Sequence, residues 1–468
     1  MDKQDIPFLT AARLSDLVRA GEVSPVEAVE AYLDRIDDQD FRYNAYLTVC
    51  RDRAMAEARQ AQEEIARGNY LGPMHGVPVA VKDQLWTKGV RSTGGCRFLA
   101  DSVPDEDATI VANLGRAGAI LLGKTNMTEL AITGYAHQYS TPHNPWDLDM
   151  YTGGSSSGSA AATGAFLCAT SLGEDTGGSI RWPSSWCGLS GLRPTWGRVS
   201  RYGVMSGSWS MDTFGPMSRS AEDAAMTLTA IAGRDPKDPY TWSTPVPDYR
   251  AELTGEVSGI RVGLVTELSH GPVVDEQVSA AVVEAASVLG GMGADVEEVS
   301  LPLTVHSQVI TTTHIGVESA LDHAKRLRSQ PGAYGHAVRI GLTTGSLVPA
   351  QAYYKAQKLR SMIRRQVLEA LDRYDVLALA TIAIPAVPIR DDGPITGKEQ
   401  VLGSLPLLTP SFNLASCPAV SVPCGFTDRN MPIGLQIAGR PGEDGTVLNV
   451  AHAYQQGTGW HTMRPAAV

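Results

Sequence analysis

The chain has 468 residues, 43% of them hydrophobic and 19% charged, and its formal net charge is −11 at pH 7. This composition is typical of a globular protein with ample length for a large core. Because the chain is acidic and carries no strong Lys/Arg cluster, we expect neither nucleic acid nor a membrane as a partner. The six cysteines form no CxxC pair, which indicates no zinc or redox motif and favours a reducing compartment.

The N-terminal region, residues 1–68, is predicted to be helical. Ser24 and Glu27 form a capping box with Pro25 at the first helical position, and apolar residues follow at helical spacing. A second helix is predicted at 50–67. Since the sequence shows neither a secretory signal nor an apolar run long enough to span a bilayer, we expect a cytoplasmic protein.

Strands then alternate with helices, which predicts an α/β sheet with helices on both faces. The predicted strands lie at 76–85, 119–123, 166–172, 259–265, 375–382, 419–424 and 433–439. Residues 305–372 are predicted to be mostly helical, and a long Pro/Gly-rich loop follows at 383–410. We expect one domain over 1–468, composed of the N-terminal helices (1–68), a catalytic core (69–265) and a helical cap that forms a variable substrate region (about 295–400).

Three polar features lie in unexpected places. Lys82 interrupts an apolar run, either as an edge-strand lysine facing water or as a buried lysine that loses its charge easily. The stretch TGGSSSGSAAA (152–162) has the composition of a flexible linker. In GEDTGGSIRWP (173–183), two glycines precede Ser179, which predicts either a tight turn stabilised by Asp175 or converging N–H groups that bind an anion.

Two kinds of serine hydrolase are consistent with these features. None of the ten histidines lies within the Gly/Ser segments, so a serine nucleophile there would need a lysine base. Alternatively, residues 154–158 match the G-x-S-x-G elbow of α/β-hydrolases, with Ser156 as the nucleophile of an esterase. That elbow requires a preceding strand, and NPWDLDMY (144–151) does not resemble one. We therefore expect Lys82→Met to inactivate the enzyme, whereas an elbow esterase would scarcely respond.

Long motifs resemble the amidase signature family. They include GGSSSGSAAATG (153–164), LGEDTGGSIRWPSSWCGLSGLRPTWGRVS (172–200), VPVAVKD (77–83), GKTNMTEL (123–130) and PAVSVPCGF…MPIGLQIAG (418–439). The match extends over most of the chain and is weakest at about 295–400. The resemblance implies a large mixed central β-sheet flanked by helices, a Ser–cis-Ser–Lys triad, and neither a metal nor an organic cofactor.

The resemblance also assigns roles to individual residues. Lys82 falls on the family's lysine, Ser155 on its cis-serine and Ser179 on its nucleophile, and a cis peptide is expected between Gly154 and Ser155. The expected oxyanion hole consists of the N–H groups of Thr176, Gly177, Gly178 and Ser179. The supporting residues are Ser156 and Ser157, expected to hydrogen-bond to Ser155, together with Asp175 and Arg181, expected to brace the loop.

The substrate is expected to be a small-molecule amide. Four of the eight tryptophans (182, 186, 196 and 209) fall soon after the nucleophile, where they either pack the core or line an apolar pocket. The expected pocket residues are Tyr135, Gly153, Gly154 and Trp182. We expect a monomeric or homodimeric enzyme for apolar or aryl amides, with carbamates (urethanes) as further substrates.

The family also contains the amidase (glutaminase) subunit of a tRNA-dependent glutamine amidotransferase, which is the alternative function. That subunit carries a glutamine-recognition pattern in a segment that looks different here (TTTHIGVESALDHAKRL, 311–327).

Overall fold

An eleven-stranded mixed β-sheet runs through the centre of the molecule. The computed structural model describes residues 2–136, 138–389 and 405–466. The strands of the central sheet are β1 (Tyr46–Val49), β2 (Pro78–Lys82), β3 (Ile120–Thr125), β6 (Thr170–Glu174), β7 (Ser190–Arg193), β8 (Phe214–Ser218), β9 (Arg261–Val265), β10 (Asp295–Val299), β11 (Val376–Ala380), β12 (Ala419–Phe426) and β13 (Pro432–Gly439), whereas β4 (His143–Asn144) and β5 (Asp147–Tyr151) form a separate hairpin. The predicted large mixed sheet is confirmed.

The strand order brings two strand ends together. The order across the sheet is β1-β3-β2-β6-β8-β7-β12-β13-β11-β9-β10. Strand β2 is parallel to both of its neighbours, β3 and β6, whereas β6 to β8 and all pairings from there to β11 are antiparallel. Because β2 and β6 are parallel, their carboxyl ends lie at the same edge of the sheet. Lys82 is the last residue of β2 and Glu174 the last of β6.

Helices cover the sheet and extend beyond it. Their bounds are α1 (Ala11–Ala20), α2 (Pro25–Tyr43), α3 (Arg51–Ala66), α4 (Thr109–Arg116), α5 (Ser157–Gly164), α6 (Arg181–Trp186), α7 (Ala221–Ile231), α8 (Thr266–Ser269), α9 (Glu276–Gly291), α10 (Ser307–Ser329), α11 (His336–Leu347), α12 (Ala350–Leu371), α13 (Pro410–Ala415) and α14 (Asp444–Gly457). None of the helices in the described part of the chain has the length and apolar character needed to cross a membrane.

Most of the predicted elements are present, with two local corrections. The predicted helical region 305–372 is confirmed by α10, α11 and α12. The strand predicted at 166–172 begins later, at Thr170, and the segment 144–151 does contain a short strand, β5, because it pairs with β4 in a hairpin. Residues 390–404, within the predicted loop and the end of the predicted cap, lie outside the described residues. The division into N-terminal helices, core and cap stays a prediction.

The capping box at the start of α2 is confirmed. The Ser24 hydroxyl accepts a hydrogen bond from the Glu27 backbone N–H at 3.1 Å, and the Glu27 carboxylate accepts one from the Ser24 N–H at 2.8 Å. We expect Ser24→Ala to lower the free energy of unfolding by about 1 kcal/mol, since the Glu27 N–H at the helix start loses its acceptor. Urea unfolding measures the change. Ser361→Ala, in the middle of α12, is the control and should change stability by less than about 0.5 kcal/mol.

Candidate active site

Lys82 is fully buried at the end of an interior strand. Its Nζ atom is hydrogen-bonded to Ser155 Oγ at 2.7 Å. The interpretation of Lys82 as an edge-strand lysine facing water is therefore wrong, because β2 lies between β3 and β6. Burial lowers the pKa of Lys82 below its ordinary value, and the carboxylate of Glu174 works against that shift. A lysine with a lowered pKa is suited to accept a proton near neutral pH.

The Gly/Ser-rich stretch consists of a packed loop after β5 (152–156) and the first part of α5. The peptide bond between Gly154 and Ser155 is cis, and every residue from 152 to 164 is buried. Gly158 lies so close to its neighbours that a Cβ atom would stand 2.4 Å from Asn126 N and 2.5 Å from Ala45 O. A linker would need solvent around it, so the stretch instead fixes Ser155 against the rest of the fold.

Ser179 lies in the loop that follows β6 and is partly exposed. The Ser156 backbone N–H donates to the Ser179 carbonyl at 3.4 Å, which joins the two serine loops. Gly178 has φ +132°, and a Cβ atom there would lie 2.1 Å from Thr409 Oγ1, so only glycine fits. Lys82 and Ser155 are thus in contact, and the residue after Ser155 is joined to Ser179, which lies 97 positions beyond Lys82 in the sequence.

Residues 175–180 form the loop that carries the predicted nucleophile, Ser179, and are named the nucleophile loop. Four of its successive carbonyls accept hydrogen bonds from donors outside the loop. The donors are Arg193 Nη1 to the Asp175 carbonyl, Asn413 Nδ2 to that of Thr176 at 2.7 Å, Thr409 Oγ1 to that of Gly177 at 2.6 Å and Trp182 N to that of Gly178 at 2.8 Å. In a trans peptide the C=O and the following N–H point in opposite directions. Each N–H of residues 176–179 therefore points away from the donor that holds the carbonyl of the same peptide, and the oxyanion hole expected from these N–H groups stays a prediction.

Asp175 and Arg181 form a buried bidentate ion pair under this loop. Arg181 Nε donates to Asp175 Oδ2 and Nη2 to Oδ1, both at 2.9 Å, and neither side chain is exposed. Burial alone would raise the pKa of Asp175, but Arg181, Arg193 and Asn413 outweigh it and hold that pKa well below its usual range. The pair thus has the geometry of the brace that the sequence predicts.

The two serines that follow Ser155 are buried and do not present a free nucleophile. Ser156 Oγ donates to the Glu174 carbonyl and accepts from the Glu174 N–H, both at 3.1 Å. Because the single hydroxyl proton of Ser156 is used in the first of these bonds, Ser156 connects the loop of Ser155 to β6. It therefore neither donates the expected hydrogen bond to Ser155 nor serves as the nucleophile of an elbow. Ser157 starts α5 and is fully buried, and its predicted hydrogen bond to Ser155 stays a prediction.

An aromatic cluster lies beside the two serine loops. The rings of Trp182 and Trp186 meet edge to face with centroids 5.3 Å apart, and Tyr151 contacts both. Tyr135 packs against Tyr151 and is hydrogen-bonded to it at 3.1 Å. A Cβ atom on Gly153 would stand 3.0 Å from Trp182 Nε1. Tyr135, Gly153 and Trp182, three of the four expected pocket residues, are thus grouped together, with Gly154 next in the chain.

The other two tryptophans lie away from this cluster. Trp196 and Trp209 both pack against Tyr240, and Trp209 is 51% exposed. Position in the sequence alone could not separate the two pairs, because all four follow the nucleophile within 30 residues.

Several residues of the site were missed from the sequence. Glu174 is fully buried with Oε2 3.2 Å from Lys82 Nζ, and burial raises its pKa to about 7 although the Lys82 charge opposes the shift. It stands inside the motif GEDTGGS, but its place beside Lys82 follows only from the parallel pairing of β2 and β6. Thr409 and Asn413 carried no signal, since they lie more than 220 residues away from the loop that they hold.

Comparison with known proteins supports the resemblance. A family model described as Amidase matches residues 27–448. A subunit of the glutamyl-tRNA(Gln) amidotransferase of Moorella thermoacetica is 40% identical over 98% of this chain and 99% of its own length. Among solved structures, a bacterial aryl acylamidase of the amidase signature enzymes superposes with a TM-score of 0.88 at 27% identity, covering 98% of this chain and 99% of the other.

A second solved structure comes from a vestigial protein complex connected with the origins of an s-triazine catabolic enzyme. It superposes with a TM-score of 0.89 at 31% identity and covers 96% of this chain and 98% of its own.

These comparisons correct one prediction. The expectation that the protein has no nucleic acid partner and acts as a monomer or homodimer is wrong, because curated relatives at 36–40% identity are subunits of a glutamyl-tRNA(Gln) amidotransferase. The expectation rested on net charge. One acidic chain within an assembly does not determine the charge of the surface that meets RNA.

Proposed function

This chain belongs to the amidase family, and from that premise we propose that it cleaves the C–N bond of a carboxamide through an acyl-enzyme on Ser179. The observation that carries the proposal is the 2.7 Å hydrogen bond between the buried Lys82 Nζ and Ser155 Oγ. A buried lysine in contact with a serine hydroxyl, next to a partly exposed second serine, has the parts of a proton relay and a nucleophile.

In the proposed reaction Ser179 Oγ attacks the carbonyl carbon. Ser155 takes the Ser179 proton and passes its own to neutral Lys82, and the N–H groups of residues 176–179 stabilise the oxyanion. Protons then return through Ser155 to the leaving nitrogen, which makes C–N cleavage possible because an amine leaves only when protonated. Water hydrolyses the acyl-enzyme by the same route.

For the substrate we favour the side-chain amide of glutamine, with this chain as the ammonia-producing component of a larger assembly. The support is the 40% identity to the glutamyl-tRNA(Gln) amidotransferase component over nearly the whole of both chains. The solved structure described as a vestigial protein complex is a further similar protein found in a complex. All six cysteines are free thiols, which agrees with a cytoplasmic location for such an assembly.

A second candidate is a free-standing amidase for apolar or aryl amides, with carbamates as further substrates. The aromatic cluster around Trp182 favours it, because these buried rings pack on the loop before Ser155 and on α6, which begins two residues after Ser179, where an apolar substrate group would be accommodated. The structural similarity to an aryl acylamidase supports the same candidate.

Protection of Ser179 from a fluorophosphonate probe distinguishes the two candidates without any partner protein. If glutamine is the substrate, saturating glutamine should slow labelling of the purified chain at least about tenfold, whereas benzamide and an anilide should not, because only the bound substrate covers the nucleophile. Mass spectrometry of the labelled peptide measures the rate. Glutamate, which lacks the amide, is the matched control. Protection by the anilide but not by glutamine would establish the second candidate.

Hydrolysis of acetamide, benzamide, an anilide, an aryl carbamate, an amino-acid amide and glutamine then gives the order of preference. An unlabelled wild-type protein would contradict both candidates.

A further inference from the structure

Four buried side chains form a continuous series of hydrogen bonds that begins at Lys82 and leads away from Ser155. Lys82 Nζ donates to Glu174 Oε2 at 3.2 Å. Glu174 Oε1 is hydrogen-bonded to Thr176 Oγ1, and that hydroxyl lies 2.8 Å from Asp212 Oδ1. All four side chains are at most 2% exposed, so solvent contributes little to their hydrogen bonds. Lys82 is therefore connected to Glu174 directly and to Asp212 through Glu174 and Thr176.

The number of protons shared along this series of hydrogen bonds is constrained. A threonine hydroxyl carries one proton, and an ionised carboxylate can only accept. Thr176 Oγ1 contacts a carboxyl oxygen on each side, so both contacts are hydrogen bonds only if one of the two carboxyl groups is protonated. Two unprotonated carboxylates would leave two oxygen atoms in unfavourable contact inside the protein.

The proton belongs on Glu174, because Asp212 is already surrounded by donors. The Asp212 carboxylate accepts from Ser206 Oγ at 2.8 Å, from the Gly207 N–H at 2.8 Å and from the Ser208 N–H at 2.9 Å. Thr176 then donates to Asp212 and accepts from Glu174. Burial raises the pKa of both carboxyl groups, that of Glu174 to about 7, and at Asp212 the surrounding donors work against the shift.

We propose that Glu174 is a protonated positioning residue, whose Oε1–H donates to Thr176 while its Oε2 accepts an N–H of neutral Lys82 and so aims the lysine lone pair at Ser155. The inference rests on the proposed function, in which Lys82 accepts the Ser155 proton. A neutral lysine has two N–H groups and one lone pair, so engaging one N–H fixes the direction of the lone pair. An ionised Glu174 would instead stabilise the ammonium form and weaken the base.

The proton balance closes within the site. When Ser155 gives up its proton, Lys82 becomes an ammonium that donates to Ser155 Oγ and to Glu174 Oε2, and Glu174 keeps its own proton on Oε1. The proton returns to Ser155 when the leaving nitrogen is protonated, so no other reactant is needed. The remaining charged groups that face this set are Asp175, which faces Lys82 and Glu174, Arg193, which faces Glu174 and Asp212, and Asp322, which faces Asp212.

Glutamine and leucine at position 174 provide the test. A glutamine reproduces the protonated carboxyl, with an N–H for Thr176 and a carbonyl oxygen for Lys82. Glu174→Gln should keep kcat/KM within about threefold of wild type with the acidic limb of the pH profile unchanged, whereas Glu174→Leu should lower kcat/KM roughly 10- to 100-fold. The measurement is kcat/KM against pH on the best substrate of the amide panel.

Two results would overturn the proposal. If Glu174→Gln moves the acidic limb to lower pH by about one unit, Glu174 is an ionised partner that raises the pKa of Lys82 in the wild type. If Glu174→Gln loses as much activity as Glu174→Leu, hydrogen-bond geometry at this position is not what matters. Should the leucine variant fail to fold, the pH profile of the glutamine variant alone decides.

A matched control distinguishes the proposed positioning role of Glu174 from the general effect of removing a buried carboxylate. Asp83 lies 3.6 Å from Lys124, and both are fully buried, Asp83 directly after the end of β2 and Lys124 on β3. Asp83→Asn should lower the melting temperature and leave the acidic limb in place. Failure of the proposed function would look different, because Ser179→Ala would then retain amide hydrolysis whatever residue occupies position 174.

Discussion

Replacing Ser179 by alanine is expected to lower kcat for amide hydrolysis by roughly 10⁴- to 10⁶-fold while leaving the fold intact. The hydroxyl is the only atom group removed, and Ser179 is partly exposed in a loop whose carbonyls are held by Arg193, Asn413, Thr409 and the Trp182 N–H. Loss of the nucleophile removes the acyl-enzyme pathway altogether, and only binding and oxyanion stabilisation of a water attack would remain.

The measurement is single-turnover release of amine or ammonia together with fluorophosphonate labelling. Ser184→Ala is the matched control, because Ser184 is a buried serine five positions further on in α6, and its removal should change kcat only slightly. Lys82→Met should cause a loss of similar size to Ser179→Ala, since the relay then has no base. Full activity in Lys82→Met would contradict the lysine mechanism and reopen the case for an elbow esterase.

Replacing Asp175 by asparagine is expected to lower the free energy of unfolding by about 3–5 kcal/mol. The carboxylate is fully buried and is contacted by Arg181 at 2.9 Å and by Arg193 at 3.4 Å, so its loss leaves two buried guanidinium groups without their anion. Urea unfolding at neutral pH measures the change. Glu63→Gln, in the exposed pair with Arg67, is the control and should have an effect below about 1 kcal/mol.

The Asp175 interaction also has a defined pH dependence. The pKa of Asp175 is well below its ordinary value in the folded state and close to about 3.9 in the unfolded chain. A depressed folded-state pKa means that the stabilisation is fully present above pH 4 and is lost as the pH falls below that value. The asparagine variant should therefore show a smaller loss of stability than wild type between neutral and acidic pH. Equal acid dependence in both proteins would contradict this assignment.

Sequence patterns predict best those elements whose formation depends on residues that are close together in the chain. The capping box at Ser24, the helices at 305–372 and the β-branched run ending in Lys82 all appear as expected, because each depends on neighbours in the chain. The strand in segment 144–151 could not be predicted in this way, because β5 is stabilised by its partner β4 more than by its own composition.

Long-range contacts lie beyond the reach of such patterns. The hydrogen bonds of Thr409 and Asn413 to the nucleophile loop arise only after the sheet brings its two halves together. The same reason explains why the sequence does not single out Glu174. Glu174 precedes Asp175 in the motif, and its contact with Lys82 can be inferred only once β2 and β6 are known to be parallel neighbours.

The origin of the donors that hold the nucleophile loop also bears on biosynthesis. Arg193 is close in the chain, but Thr409 and Asn413 belong to the last sixth of it, and Gln436, which accepts from Arg181, comes later still. After Lys82 and Ser179 have been synthesised, the ribosome must therefore add more than 200 further residues before the donors that hold this loop are all present. If Ser179 and Lys82 act as proposed, a growing chain carries them long before the residues that hold their loop exist, and we expect hydrolytic activity only after Thr409 and Asn413 have been synthesised and folded into place.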